Sequence, residues 1–337
     1  MLPNLSYTIP VTGRITIGDI VENERGKRIP IRLNHFRITT QYKRNGQWVP
    51  HPIQSEIAKK GGVAEDKITE IPVKVMFNSP TLTIRERLEA YQDGRLTCAS
   101  GGGSKARRIT ANGMETVDCH GPDGCAFARE SKQGCDLMAR INLQIDAESD
   151  KCRNDPLSSF ILRTRGYNSA KTIRQKLEMA ASMFKGKIVG VPFILKLRKK
   201  SSPLSRNTPF YYVDLVLARS LIESAKIAQS TATEMEEAGL DQAALEKAVL
   251  DGMANGPFED TIEELVEMED MLIGRDAITE PDRAGTEAAG ASPESTAELE
   301  AGELEGEELA VAEPMAAVGL DALRFILESS KEGQVPA

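Results

Sequence analysis

The chain has 337 residues, 40% of them hydrophobic, with 42 basic and 50 acidic side chains and a net charge of −8. That composition excludes wholesale disorder, and no run of about 18 apolar residues exists to span a membrane. The average hides a division: residues 1–220 hold 36 basic and 21 acidic groups, net +15, while residues 221–337 hold 6 and 29, net −23. Fourteen of the 16 aromatic residues lie in the basic front, so the packed core is expected there.

Taken in chain order, the front reads as strands. Arg14 to Gly18 alternates apolar and polar side chains, as a half-buried strand does. Ile29 to Leu33 with Phe36 to Ile38 reads as a second, irregular strand, with Pro30 at an edge or bulge. Ile71 to Phe77 is a third. Ile84 to Tyr91 reads as a short helix or turn. Ile141, Leu143 and Ile145 alternate with polar residues, and Phe160 to Thr164 follows as another strand. Val191, Phe193, Leu195 and Leu197 face away from Lys196 and Arg198, and Pro209 to Leu217 closes the set.

One helix is well signalled. Asn168 or Ser169 is placed to cap it, Ile173, Leu177, Ala180, Ala181 and Phe184 share a face, and Gly186 lies past its end. Lys171, Arg174 and Lys176 point outward. The fold class expected is α+β, a mainly antiparallel, β-rich domain over residues 1–220 with few helices and a zinc-stabilised cysteine loop at 95–140. Behind it are expected an acidic helical extension (221–275), a disordered acidic linker (276–313) and a short amphipathic helix (314–331). Ala316, Leu320, Leu323 and Leu327 share one face of that last helix, which suits a docking peptide or a helix that folds back.

Cys98, Cys119, Cys125 and Cys135 form the clearest chemical constellation, with Cys152 left over. The first residues lack the basic and apolar regions of a signal peptide, so a cytoplasmic chain is expected. Clustered cysteines in a reducing compartment favour metal over disulfides. Four thiolates close a tetrahedral structural zinc site, and the surrounding glycines leave a bound metal to order the segment. Buried or incidental cysteines are the competing reading. His120 is a possible substitute ligand, and Cys152 reads as incidental.

Basic side chains concentrate nearby. Residues 151–200 hold 13 basic and 2 acidic groups, net +11. The candidate nucleic-acid contacts are Lys105, Arg107, Arg108, Arg163, Arg165, Tyr167, Lys171, Arg174, Lys196, Arg198, Lys199 and Lys200. Such density is the footprint of phosphate binding, and Tyr167 could stack on a base. The competing readings are a solvated face, or a surface for the chain's own acidic rear. No GxGxxG, GxxxxGK[ST], HExxH or GxSxG motif is present, and three histidines leave few general bases.

The order of features resembles a known family. Gly13-Arg14-Ile15, Arg32 to Arg37, Leu96-Thr97-Cys98, the cysteine set with Cys125-Ala126-Phe127, Phe160 to Ile173 and Gly190 to Leu195 are similar to the Gp3-like recombination directionality factors of phages and integrative mobile elements. The resemblance spans roughly residues 10–217. It implies a non-enzymatic accessory factor that binds a site-specific integrase, DNA or both and biases recombination toward excision. It also implies Cys98, Cys119, Cys125 and Cys135 as the zinc ligands. Two other functions stay open: a single-strand DNA-binding recombination module with an acidic partner-recruiting tail, and a metal-dependent hydrolase or nuclease.

Overall fold

The structure, a computed structural model, describes residues 8–26, 28–92, 95–130, 134–147, 155–201 and 209–253. Cys152, the part of the acidic extension beyond residue 253, the linker 276–313 and the helix 314–331 lie outside the described residues.

The strands and helices follow in chain order as β1 (Val11–Glu22), β2 (Arg28–Arg44), β3 (Gln47–Pro50), α1 (Pro52–Gly61), β4 (Glu70–Lys74), α2 (Pro80–Thr83) and β5 (Ile84–Gln92). Then come β6 (Arg95–Ser100), β7 (Lys105–Thr110), β8 (Gly113–Asp118), α3 (Gly121–Gly124), α4 (Ala126–Glu130), β9 (Cys135–Ile145) and β10 (Ser159–Thr164). The remainder is α5 (Tyr167–Met183), β11 (Phe193–Lys200), β12 (Phe210–Leu217), α6 (Leu221–Glu237) and α7 (Gln242–Met253). The molecule is β-rich, as expected. The sheet is mixed, since β1 pairs β10 in parallel while the other pairs are antiparallel. Seven α-helices stand among the described residues, more than the few expected, and α2, α3 and α4 are single turns of four or five residues.

The main path of the sheet runs β3-β2-β1-β10-β9-β5-β6-β7-β8. β9 is its pivot. Cys135 to Ile141 pair with β5, while Gln144 and Ile145 pair with β4, which leads on to β11 and β12. On the other side Ala139 to Leu143 pair with β10. One long strand therefore serves three neighbours and joins the two halves of the body.

Ile84 to Tyr91 is a strand rather than a helix or turn. Arg, Glu, Leu and Ala are good helix formers, so local propensity points the wrong way. Pairing with β9 and β6 overrides it and sends Ile84 and Ala90 into the interior. The α5 cap also differs from expectation. Gly166 is the N-cap and receives no side-chain cap bond, while the Ser169 hydroxyl accepts the Val213 N–H at 2.9 Å. The buried stripe Ile173, Leu177 and Ala180 is where the helical spacing put it.

The core lies on one face of the sheet. Phe36, Ile38, Phe160, Leu162, Ile141 and Leu143 meet Ile173 and Leu177 of α5 and Leu195 and Leu215 of β11 and β12. Ala228 of α6 joins this cluster, and Val249 of α7 packs with Ile9, Phe77 and Leu82. Gln242 donates to the Met76 carbonyl at 2.9 Å, and Glu246 accepts the Asn78 N–H at 2.6 Å. The start of the acidic rear is thus built into the body.

The opposite face collects arginine. Register sets Arg85, Arg140 and Arg163 side by side on β5, β9 and β10. Strand alternation adds Arg14, Arg37, Arg87 and Arg165 to that face.

Candidate functional site

Strand register begins the assembly of the cysteine pocket. Ala90 of β5 stands opposite Cys98 on β6 and opposite Cys135 on β9, so both thiols share its face of the sheet. A small residue between them leaves room above the strand. The β7–β8 hairpin then returns the chain, and the Cys119 N–H bonds to the Ser104 carbonyl at 2.8 Å. Gly121, at φ 73°, allows the turn into α3, after which Cys125 donates its N–H to the Gly121 carbonyl at 3.1 Å. The four thiols, all unoxidised, line one pocket with Leu88, Ala90, Ala106, Phe127 and Ala128. Its volume is about 20 Å³, room for one water-sized body.

Arg108, directly opposite Cys98 in the β6–β7 register, enters the same pocket. Its guanidinium stacks 4.2 Å from the Phe127 ring centre and donates to the Cys125 sulfur at 3.5 Å. Burial pushes the Cys125 thiol up, but the Ala128 N–H, Arg108 and the Phe127 N–H outweigh it and hold this thiol below the ordinary value. Cys135 is pushed up to about 11 by burial and by the nearby Cys98, Cys119 and Cys125 thiols. Among the described residues, no three Cys, His, Asp or Glu side chains form a metal-holding group as placed. The thiols share a pocket without a closed coordination set. His120, at the N-cap of α3, is not among the residues lining it.

The other basic candidates are spread over several surfaces, and many meet carboxylates brought in from elsewhere. Lys105 pairs with Asp118 at 2.6 Å, Lys196 with Glu70 at 2.5 Å, and Arg198 with Asp214 at 2.6 Å. Arg165 pairs with Asp136, and Arg174 with Glu86. The density read from residues 151–200 is therefore partly neutralised in three dimensions. Tyr167 is 66% exposed at the start of α5, with the Lys171 ammonium 5.8 Å from its ring centre. Lys199 lies 5.4 Å from the Tyr211 ring centre, and Lys200 and Arg107 are exposed. Arg163 lies on the arginine face beside Arg140.

The arginine face as a whole leaves no local trace in the sequence, because its arginines come one or two at a time from strands far apart in the chain. Arg140 is buried in it, bonded to both carboxylate oxygens of Glu89 at 2.7 and 3.1 Å, and Tyr91 donates to Glu89 at 2.8 Å.

Fold and pocket together define a β-rich protein with a cysteine-lined pocket on a mixed sheet. A family model described as Gp3-like, recombination directionality factor-like, matches residues 12–218, from β1 to just past β12. The chain belongs to that family, and all four pocket cysteines fall within the match. No curated protein and no solved structure matches. No helix among the described residues is long and apolar enough to cross a membrane.

Proposed function

We propose that this chain is a non-enzymatic accessory factor of mobile-element recombination. It binds a site-specific integrase, its DNA or both, and biases the reaction toward excision. The observation that carries this reading is the family match over residues 12–218. In the same proposal, Cys98, Cys119, Cys125 and Cys135 hold one structural zinc ion. The donor chemistry fits: four thiols from separate segments share a pocket of single-ion size. Arg108 fits as well, since a guanidinium beside four thiolates offsets their surplus negative charge. Bound zinc would keep the thiols deprotonated and tie the β7–β8 hairpin to β6 and β9. Four thiolates leave no open position for a water, which weighs against a metal-dependent hydrolase.

Mobility-shift assays test this reading. The protein is expected to retard complexes of a serine integrase with its attachment-site DNA, with no cleavage of its own. Unchanged mobility of those complexes would defeat it. Tyr167, exposed beside Lys171, favours a second reading as a single-strand DNA-binding module. That function predicts tight, salt-sensitive retention of an oligonucleotide without integrase.

A further inference from the structure

β1 is paired on both sides only at its start. It runs beside β10 from Val11 to Ile15, after which the β1–β2 ribbon departs. β10 continues to Thr164 and turns at Gly166 into α5. The fork between them is a cleft of about 770 Å³, lined also by Phe210, Tyr211 and Tyr212 of β12. Among the described residues, no strand pairs with the cleft side of β1 from Thr16 to Glu22. That edge is about 20 Å long at the usual rise per residue. Along it the Gly18 and Ile20 N–H groups are met by the Thr16 hydroxyl at 3.0 Å and the Asp19 carboxylate at 2.9 Å. Such local acceptors blunt an open edge and can be replaced by the carbonyls of an added strand.

The walls select the occupant. Arg14, Arg32, Arg37, Arg163 and Arg165 line the cleft with Asp19 and Asp136, five arginines to two carboxylates. Ile17, Ile20, Ile31 and Leu33 line it too, and Ile31 is 37% exposed. A nucleic acid would be met by aromatic faces open for stacking. Here the Trp48 ring has Arg14 at 3.7 Å and Lys43 at 4.6 Å from its centre, Lys199 lies 5.4 Å from the Tyr211 ring centre, and the side chains along β1 and β2 are largely aliphatic. We propose that this fork binds an extended acidic peptide segment of a partner protein, added as a strand to the open edge of β1. Carboxylates on one side of that strand meet the arginines, and apolar side chains on the other meet the isoleucines. Such binding needs no integrase and is independent of the recombination function.

Fluorescence anisotropy of the full chain tests it, with a fluorescein-labelled decapeptide alternating glutamate with isoleucine or valine as the probe. Saturable binding is expected, lost when lysine replaces each glutamate and at least tenfold weaker when alternate backbone nitrogens are methylated. Arg32→Glu with Arg163→Glu is expected to weaken binding at least tenfold, while Lys59→Glu on α1 leaves it unchanged. Arg32 is exposed, so Arg32→Glu alone carries the test if the double variant does not fold. Absence of saturable peptide binding would overturn the proposal, as would equal affinity for the methylated peptide. So would binding of a labelled oligothymidine in the peptide's place with the same dependence on Arg32.

Discussion

Glu89 and Arg140 are 1% and 2% exposed, a charged pair inside a sheet whose other buried positions are mostly apolar. Two charges taken from water repay that cost only while each holds the other. Glu89→Ala takes the carboxylate away from a buried guanidinium and from the Tyr91 hydroxyl, and a loss of about 3–5 kcal/mol is expected from urea unfolding. Replacing both members, as Glu89→Leu with Arg140→Met, is expected to cost less than Glu89→Ala alone, because no charge is stranded. His51 is a second sensitive residue. Its Nδ1 accepts the Ile53 N–H at 3.2 Å as the cap of α1, and its ring stands edge-on to Phe160 with centres 5.0 Å apart. Burial holds its pKa below the ordinary histidine value of 6.5. The folded state therefore binds fewer protons at this site than the unfolded state. The stability it contributes is complete above pH 6.5 and is lost as pH falls through the lower folded value. Unfolding midpoints between pH 7.5 and pH 5 are expected to drop in the parent chain and to drop less in His51→Asn, which keeps a capping oxygen.

At the scale of elements, the cysteine segment shows what spacing conveys and what it does not. The grouping of four thiols was legible because cysteine is rare and the intervening loops are rich in glycine. Their meeting point depends on β5, the element misread as a helix or turn. Ala90 organises the pocket by standing between Cys98 and Cys135, and that pairing across the sheet leaves no local trace. Arg108 carried the opposite lesson. It sat in a basic run that suggested phosphate, and register turned it toward the thiols instead. If zinc ties these elements together, Cys125→Ser is expected to reduce bound zinc below one equivalent and to speed amide exchange throughout residues 95–140. A full equivalent of zinc in that variant would exclude Cys125 as a ligand.

For the whole molecule, the charge division survives in a shifted place. α6 and α7 carry part of the acidic rear, yet Ala228 and Val249 bury themselves in the body. Residues 1–253 hold 38 basic and 28 acidic groups, net +10, and residues 254–337 hold 4 and 22, net −18. A chain ending at 253 keeps both helices. It is expected to bind nonspecific duplex DNA more tightly than the full chain, with a steeper loss of affinity as salt rises. Most strands and the main helix stripe were legible from their periods, though the cap of that helix was not. The sheet order, the fork beside β1 and the arginine face were not, because each is set by which distant strands become neighbours. The proposed bias toward excision is decided by incubating the purified protein with a cognate large serine integrase and a plasmid bearing the two hybrid attachment sites. Excision product is expected only when the protein is present, with integration between the parental sites suppressed under the same conditions. Equal excision with and without the protein would contradict the account.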